Sequence, residues 1–404
     1  MLRRLWTEWT IAVHFLRDGR SQTIMIIVGV AVGVSVVVFV SALIQGLQSN
    51  IVDRTLGTQA HIRLLPPEEI NLHAATTPDT LVLRQENPRA QRLRSIDNWQ
   101  EYPPLLDRFP GLVAVSPVVS GPAFARRGDA LESVALIGID PARYRRVISL
   151  DEAIVEGSFK IAAGDAIIGR ELSRNLGLRL GDKLRLDTGQ QNTTVVNLIG
   201  IFEYGVRDLD ARFVYLSLKQ AQSLLDLPGG VTVIDLTVED IFAVDPIARR
   251  LERLTGLEAE SWTETNAQLM NALSAQSLST NIIILFVGLS VAFGIASVMS
   301  VSVVQRTREI GILRATGAGR QQILRVFLIE GAVFGLLGSI PGIAAAYLLV
   351  WIFNEFGPDL FTVPIAGRLL LLAVLLTTLT GLLASALPAR RAAGLDPVVA
   401  IRYV

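Results

Sequence analysis

The sequence has 404 residues, of which 50% are hydrophobic and only 18% are charged, and its mean hydropathy is +0.45. Soluble domains carry roughly 25% charged residues, so this composition excludes an average soluble enzyme. The 37 basic residues balance the 37 acidic ones, whereas a nucleic-acid-binding protein would show a basic excess. The absence of cysteine excludes disulfides and thiolate metal sites, and three histidines are too few for an expected metal cluster. The composition predicts a membrane protein.

Four apolar blocks are long enough to cross a hydrocarbon core of roughly 30 Å. The predicted membrane spans are residues 22–46, 281–304, 323–353 and 369–387. A buried core helix is the alternative for any single block, but four blocks of this length favour membrane spans. The first apolar run is longer than that of a signal peptide, so we expect it to be retained.

Arginines are concentrated in three segments, and the positive-inside rule predicts that these segments are cytoplasmic. They are the N-terminal segment 1–21, the loop 305–322 and the tail 388–404. The short loop 354–368 and the large domain 47–280 then face the periplasm. Residues 45–280 carry 24 basic and 30 acidic side chains, and the remainder carries 13 and 7. The balanced total therefore combines an outward region of −6 with a remainder of +6.

The outward region is predicted to be an α+β domain with two parts. Segments 105–150 and 230–262 are expected to flank a mostly β insert at 151–228. Asp245 and Pro246 are expected to open a helix as the N-cap and N1 residues. We assign no role to the proline-rich stretch 66–104. The sequence contains no G-x-x-x-x-G-K-[ST] phosphate loop, so we expect nucleotide energy to come from another chain.

The loop 305–322 is predicted to contain a short charged helix that ends near Gly317. A loop that only sets topology has no use for apolar residues, so Ile310, Ile312 and Leu313 suggest a helix that docks onto something apolar. Residues 308–317 read REIGILRATG, and residues 387–393 read LPARRAA, followed by Asp396-Pro397. Both strings, at these positions, resemble the ABC transporter permease family of MacB, FtsX and the LolC–LolE pair.

The resemblance implies four transmembrane helices and an extracytoplasmic α+β domain with porter-like and sabre-like lobes. It also implies a role in the inner membrane in which ATP hydrolysis by a separate ABC ATPase subunit changes the shape of the periplasmic domain, which is called mechanotransmission. The expected result is extraction or export of a hydrophobic substrate such as a lipoprotein, lipid or drug. The alternative is an FtsX-like subunit that activates a periplasmic enzyme or partner without transport.

The resemblance also implies which partners and residues to expect. A second permease subunit, identical or different, would pair with this one among membrane lipids, while ATP and Mg²⁺ would bind the ATPase. The chain itself is expected to be no enzyme, to hold no cofactor or metal, and to bind no nucleic acid. The resemblance leaves open whether a periplasmic adaptor or chaperone is a further partner. The expected ATPase-coupling residues are Arg308, Glu309, Ile310, Gly311, Leu313, Arg314 and Gly317.

Two departures from the family narrow these expectations. MacB carries its ATPase domain ahead of the first span, where this sequence has about twenty residues, so we expect a stand-alone permease. LolC-type subunits carry a long hairpin where residues 186–193 predict a short turn. A direct LolC role is therefore disfavoured, and a LolE-like or homodimeric role stays open. The sequence does not identify the substrate.

Small residues and one acid stand out within the spans. The pairs Gly29–Gly33 and Gly331–Gly335 have the spacing that lets helices approach closely, so we expect helix packing or a subunit contact there. Pro341 is expected to kink or break the third span. Glu330 lies about one turn inside that span and is either functional or a structural charge with Arg325 nearby. No series of acids or histidines crosses the membrane, which disfavours a proton-coupled carrier.

Overall fold

The computed structural model describes residues 8–12, 14–15, 20–67, 93–189, 192–357 and 361–402. The chain divides into two compact units, residues 1–52 with 271–404, and residues 53–270. Much of the proline-rich stretch 66–104 lies outside the described residues, as do two residues of the predicted turn at 186–193.

Helices dominate the first unit and are short in the second. Residues 8–12 and 14–15 are helical, and a 3₁₀ turn covers Trp99–Glu101. The other helical elements are α1 (Arg20–Leu56), α2 (Tyr102–Leu106), α3 (Pro141–Tyr144), α4 (Arg170–Leu176), α5 (Arg207–Arg212), α6 (Leu218–Leu224), α7 (Val244–Thr255), α8 (Trp262–Thr265), α9 (Ala267–Gln305), α10 (Thr307–Ala315), α11 (Arg320–Phe356), α12 (Gly367–Gly394) and α13 (Pro397–Arg402).

Within the described part of the chain, four helices are long and apolar enough to span a membrane, namely α1, α9, α11 and α12. Each helix extends beyond the apolar block that predicted it. The largest extensions lie at the end of α1, which continues to Leu56, and at the start of α9, which begins at Ala267. Hydropathy marks the part of a helix suited to lipid, whereas backbone hydrogen bonds continue into the polar residues beyond it.

Glycines allow the long helices to approach closely. A Cβ atom added to Gly331 would lie 2.4 Å from Ser385 Oγ of α12, and one added to Gly335 would lie 2.5 Å from the Thr377 carbonyl oxygen. Gly338 contacts Val30 of α1 in the same way. Since real Cβ atoms do not come this close to other atoms, only glycine fits these positions without a shift of the neighbouring helix.

The helix α11 continues through Pro341 to Phe356, so the proline does not break the third span. Proline removes one N–H donor from the helix. The surrounding turns are nevertheless held by packing, because Gly338 and Gly342 contact Val30 and Val34 of α1 on either side of the proline. A kink without a break stays a prediction.

The described residues of the second unit form a ten-stranded mixed sheet. The spatial order is β10-β1-β9-β2-β3-β8-β5-β7-β4, and β6 pairs with β2 and β7. The pairs β3–β8 and β5–β7 are parallel and the others antiparallel. The strands are β1 (Ile62–Leu65), β2 (Leu112–Arg127), β3 (Ala130–Ile139), β4 (Ile154–Gly157), β5 (Asp165–Gly169), β6 (Lys183–Asp187), β7 (Thr193–Phe202), β8 (Phe213–Ser217), β9 (Val233–Val238) and β10 (Glu258–Ser261).

One hydrogen-bonded sheet crosses the boundary between the predicted lobes. The strand β3 lies in the flanking segment 105–150, and β8 lies in the insert 151–228. The two strands pair in parallel from Ala135–Phe213 to Ile139–Ser217. The division into porter-like and sabre-like lobes stays a prediction, and any such lobes share this sheet.

The predicted N-cap role of Asp245 is wrong. The helix α7 begins at Val244, and its N-cap residue is Ala243. The Asp245 carboxylate instead accepts hydrogen bonds from the hydroxyl groups of Ser261, at 2.8 Å, and Thr263, at 2.5 Å. These hydroxyls lie at the start of α8, so the acid serves the neighbouring helix rather than its own. The helix α7 ends at Gly256, which is its C-cap residue with φ of +69°.

Candidate functional site

The short helix α10 lies between the membrane-length helices α9 and α11. At its start, the Thr307 hydroxyl donates to the carbonyl groups of Val303 (3.1 Å) and Val304 (2.8 Å) in α9. At its end, Gly317 adopts a φ of +105° and donates its N–H to the Arg314 carbonyl. Glycine reaches this backbone region at low energy, which explains why the chain turns here. The helix predicted at the start of the loop 305–322 is therefore present.

The helix α10 has one buried and one exposed face. Ile310 and Gly311 are buried, and Ile310 belongs to the apolar core of the first unit. Arg308, Glu309 and Ile312 are exposed, and the Ile312 side chain keeps 48% of its surface accessible. Of the predicted docking residues, Ile312 thus lies free for a partner, whereas Ile310 anchors the helix to its own chain.

The remaining expected coupling residues contact the chain itself. A guanidinium nitrogen of Arg314 donates to the Leu395 carbonyl oxygen at the end of α12, and Leu313 packs partly against the apolar core. The helix α13 packs against α10, and Ala400 of α13 is buried. Arg314 therefore connects α10 to the C-terminal tail. Gly317 instead allows the turn that follows α10. The sequence pattern predicts one group of coupling residues, but in the structure they divide between two faces of α10.

A buried charged cluster adjoins α10. Arg306, the N-cap residue of α10, is 8% exposed, and its Nη1 lies 4.0 Å from Oε1 of Glu330 on α11. Glu330 is itself 3% exposed. The sequence predicted Arg325 as the charged neighbour of Glu330. In the structure, Arg325 instead pairs with Glu8 at 3.6 Å. The sequence does not predict the pairing of Arg306 with Glu330, because 24 positions separate the two residues and no local motif joins them.

The predicted glycine pairs do not act as uniform pairs. Gly33 is buried against Val291 of α9, whereas a Cβ atom added to Gly29 would meet nothing within 4 Å among the described residues. Gly331 and Gly335 both contact α12. Three of the four glycines therefore pack helices within this chain. A subunit contact at Gly29 stays a prediction.

Asp235 is a buried acid of the second unit that the sequence gave no reason to select. Asp235 on β9 lies in register with Arg63 on β1 and Ser116 on β2, and it is 7% exposed. Its Oδ1 is 3.7 Å from Arg63 Nε. Burial raises the pKa of Asp235 to about 6, and the nearby Arg63 opposes that rise.

A second acid of this unit has a structural task. Asp210 accepts hydrogen bonds from the backbone N–H groups of Tyr204 (2.8 Å) and Gly205 (3.2 Å) and so fixes the turn after β7. Burial raises the pKa of Asp210, and these two N–H donors oppose the rise. Over the described ranges, no group of three or more histidine, cysteine or acidic residues could hold a metal ion.

Two family models match the chain. The MacB-like periplasmic core domain matches residues 23–254, and the FtsX-like permease C-terminal domain matches residues 281–397. Together these matches include most of α1, the strands β1 to β9, most of α9, and all of α10, α11 and α12.

Named relatives agree with these matches. The chain is 26% identical over 339 residues to the lipoprotein-releasing system transmembrane protein LolC of Xylella fastidiosa (strain 9a5c), covering 80% of this chain and 76% of the relative. It is 27% identical over 409 residues to the macrolide export ATP-binding/permease protein MacB of Shewanella sp. (strain W3-18-1). That match covers 97% of this chain but only 60% of the length of MacB.

A solved structure of the periplasmic region of MacB from Actinobacillus actinomycetemcomitans aligns with 54% of this chain and 95% of that one, with a TM-score of 0.36 and 13% identity. The family models together cover most of the sequence, and the four membrane-length helices occur in the order that the resemblance implied. The chain is a membrane protein that belongs to the LolC/MacB/FtsX family of ABC transporter permeases.

Proposed function

We propose that this chain is the transmembrane subunit through which an ABC ATPase changes the conformation of the domain at residues 53–270. The chain itself supplies no ATP-hydrolysing site in this proposal, and ATP and Mg²⁺ bind an ATPase subunit. The consequence is extraction or export of a hydrophobic substrate. Membership of the permease family supports this role, because its members are components of ABC transporter systems.

The geometry of α10 is the observation that carries the proposal. A helix that transmits force must be attached firmly on one side and available to a partner on the other. Ile310 and Gly311 attach α10 to the core of the first unit, while Arg308, Glu309 and Ile312 stay accessible. Two charges beside one apolar side chain fit a small protein contact with an apolar centre and a polar rim.

The orientation that this role requires follows from the arginine distribution. We propose that α10, the N-terminal segment and the C-terminal tail are cytoplasmic, and that residues 53–270 lie in the periplasm. Short cytoplasmic loops of membrane proteins carry an excess of arginine and lysine. The loop 305–322 carries Arg306, Arg308, Arg314 and Arg320 against Glu309.

A conformational change of the periplasmic domain is favoured over passage of the substrate between the helices of this subunit. The cavity bordered by Gly33, Val291 and Thr377 in α1, α9 and α12 has a volume of about 30 Å³. Ligand pockets for drug-sized molecules measure roughly 300–1,000 Å³. This cavity is therefore too small for a lipid or drug. The same observation favours the second candidate function, activation of a periplasmic enzyme or partner without transport.

The names of the relatives suggest a class of substrate for this chain, but no individual substrate. The printed names of the relatives mention lipoprotein release and macrolide export. We propose a hydrophobic or amphiphilic cargo, and a second permease subunit, identical or different, as the partner within the membrane.

Variants of the exposed face of α10 test the proposal. The tagged full-length chain in nanodiscs is assayed for binding of the ABC ATPase that copurifies with it, and for ATP hydrolysis. We expect Ile312→Asp and Arg308→Glu to weaken ATPase binding at least tenfold. Val398→Asp and Arg390→Glu, which change exposed residues outside α10, are matched controls and are expected to bind within twofold of the unchanged chain. Equal binding by all four variants would refute docking through α10.

A further inference from the structure

Arg306 occupies the junction where α9 ends and α10 begins. The backbone there departs from helical geometry, with φ of −103° and ψ of 16° at Arg306. Helical hydrogen bonds nevertheless continue on both sides, from Arg306 N–H to the Ser302 carbonyl and from Ile310 N–H to the Arg306 carbonyl, each at 3.0 Å. A change in the angle between α9 and α10 would therefore involve the backbone of this residue.

The Arg306 side chain joins three separate segments. One guanidinium nitrogen donates to the Phe15 carbonyl oxygen in the N-terminal helical segment, and the guanidinium carbon lies 4.7 Å from the centre of the Phe15 ring. The other terminal nitrogen faces Glu330 on α11 at 4.0 Å. Arginine suits this position because its planar group can stack on a ring, donate a hydrogen bond and carry a charge towards an acid at the same time.

The N-terminal segment is held to α11 by a second set of contacts. Glu8, Ala12 and Phe15 are buried and follow one another at helical spacing, so they form one face of the segment. Glu8 pairs with Arg325, and the Phe15 ring lies 6.0 Å from that of Phe327. The N-terminal segment therefore contacts α11 at two positions, Glu8 and Phe15. Arg306 contacts the segment at Phe15, near the C-terminal end of the segment.

The pair between Arg306 and Glu330 is not an ideal ion pair. Its distance of 4.0 Å is long, and neither Arg306 Nη1 nor Glu330 Oε2 has a hydrogen-bond partner among the described residues. A small cavity bordered by both side chains and by Ser302 has a volume of about 10 Å³. Buried ion pairs stabilise a protein only when their geometry is good and their remaining polar atoms are satisfied. Stability alone is a weak reason for this arrangement.

We propose that Arg306 is a positioning residue that transmits movement of α10 to α11 and to the N-terminal segment. When α10 is displaced, the guanidinium group moves with the start of the helix. Its attraction to Glu330 and its contact with Phe15 then move the neighbouring helices as well. This inference rests on the proposed function, because it needs α10 to be the element that the ATPase moves.

The test separates positioning from mere stability. Since the chain has no cysteine, labels at Asp129→Cys and Leu278→Cys report one distance between residues of the two units in nanodiscs with the ATPase. We expect ATP to change this distance in the otherwise unchanged chain. Arg306→Gln and Glu330→Gln are expected to bind the ATPase within twofold but to reduce the distance change at least threefold. The exposed Arg390→Gln is the matched control and is expected to retain the change.

The double variant Arg306→Met with Glu330→Leu keeps the inference falsifiable when single variants fold poorly. Apolar residues of similar volume often replace a buried ion pair without loss of stability. We expect the double variant to unfold at the temperature of the unchanged chain or above it, and still to lose the ATP-dependent change. Recovery of that change, or its full retention in Arg306→Gln, would overturn the inference. Absence of any change in the unchanged chain would instead refute the proposed function.

Discussion

Gly33 on α1 and Val291 on α9 are in such close contact that a Cβ atom added to Gly33 would lie 2.4 Å from Cγ2 of Val291. The valine thus fills the space that the missing side chain leaves. Gly29, one turn earlier on the same helix, has no neighbour within 4 Å in the described ranges. The close approach of α1 and α9 therefore depends on one glycine of the pair.

We expect Gly33→Val to destabilise the chain by about 1–3 kcal/mol, because the added atoms overpack the contact with α9. Thermal unfolding in detergent, followed by the loss of the monodisperse peak, measures the effect. Gly29→Val is the control and is expected to unfold near the temperature of the unchanged chain. Val291→Ala should restore part of the stability of Gly33→Val. Equal effects at positions 29 and 33 would contradict the assigned contact.

Gly381 on α12 gives a second packing prediction. A Cβ atom there would lie 2.3 Å from the Gly331 carbonyl oxygen of α11, and backbone cannot move aside as a side chain can. We expect Gly381→Ala to destabilise the chain by about 1–3 kcal/mol. This loss of stability is expected to be larger than that caused by Gly33→Ala. The same unfolding assay measures both. Gly294→Ala on α9, where the added atom meets nothing described within 4 Å, is the control.

The buried Asp235 predicts a pH dependence in the second unit. Its pKa is about 6 in the folded chain against an ordinary value of 3.8, because burial raises it and the nearby Arg63 only partly opposes the rise. Between about pH 4 and 6 the folded state therefore binds more protons than the unfolded state. The free energy of unfolding falls as the pH rises through this window and stays lower above it.

Asp235→Asn removes this titration and is expected to be more stable than the unchanged chain at pH 8, by up to about 3 kcal/mol. The advantage should largely disappear near pH 4. Hydrogen exchange of peptides covering β9 measures it, with rates corrected for the intrinsic effect of pH. Asp129→Asn, at an exposed turn, is expected to change neither value. A larger advantage at pH 4 than at pH 8 would contradict the raised pKa.

Arg314 and Arg308 are predicted to serve different contacts despite lying on one short helix. Arg314→Gln removes the hydrogen bond to Leu395, so we expect weaker attachment of α13, by about 1 kcal/mol or roughly fivefold faster exchange of its amides. Arg308→Gln should leave this exchange unchanged and instead weaken ATPase binding. Hydrogen exchange of residues 397–402 and a binding assay distinguish the two. Identical effects of both variants would argue against two faces.

The membrane-length helices could be predicted because lipid imposes a minimum length of apolar sequence. The start of α9 could not, since the polar turns that begin at Ala267 carry no such requirement. The short strands β1 and β10 were missed for a related reason. Each has four residues and pairs with a strand far away in the chain, so local pattern gives little signal.

The candidate site was predictable as a segment but not as a set of contacts. The string from Arg308 to Gly317 identified α10, yet helical periodicity alone did not tell which residues face the chain and which stay accessible. The four-residue spacing likewise predicted the same helix contact for Gly29 and Gly33. Arg306, Phe15 and Glu330 meet only through tertiary packing, and 291 positions separate Arg306 from Phe15.

The distance between labels at Asp129→Cys and Leu278→Cys in the nanodisc complex, measured with and without ATP, tests most directly whether α10 couples the ATPase to residues 53–270. We expect a nucleotide-dependent change that Ile312→Asp abolishes and Val398→Asp preserves, because α10 transmits the movement through its exposed face. A distance that does not respond to ATP while the bound ATPase hydrolyses it, or an unchanged response in Ile312→Asp, would refute this role of α10.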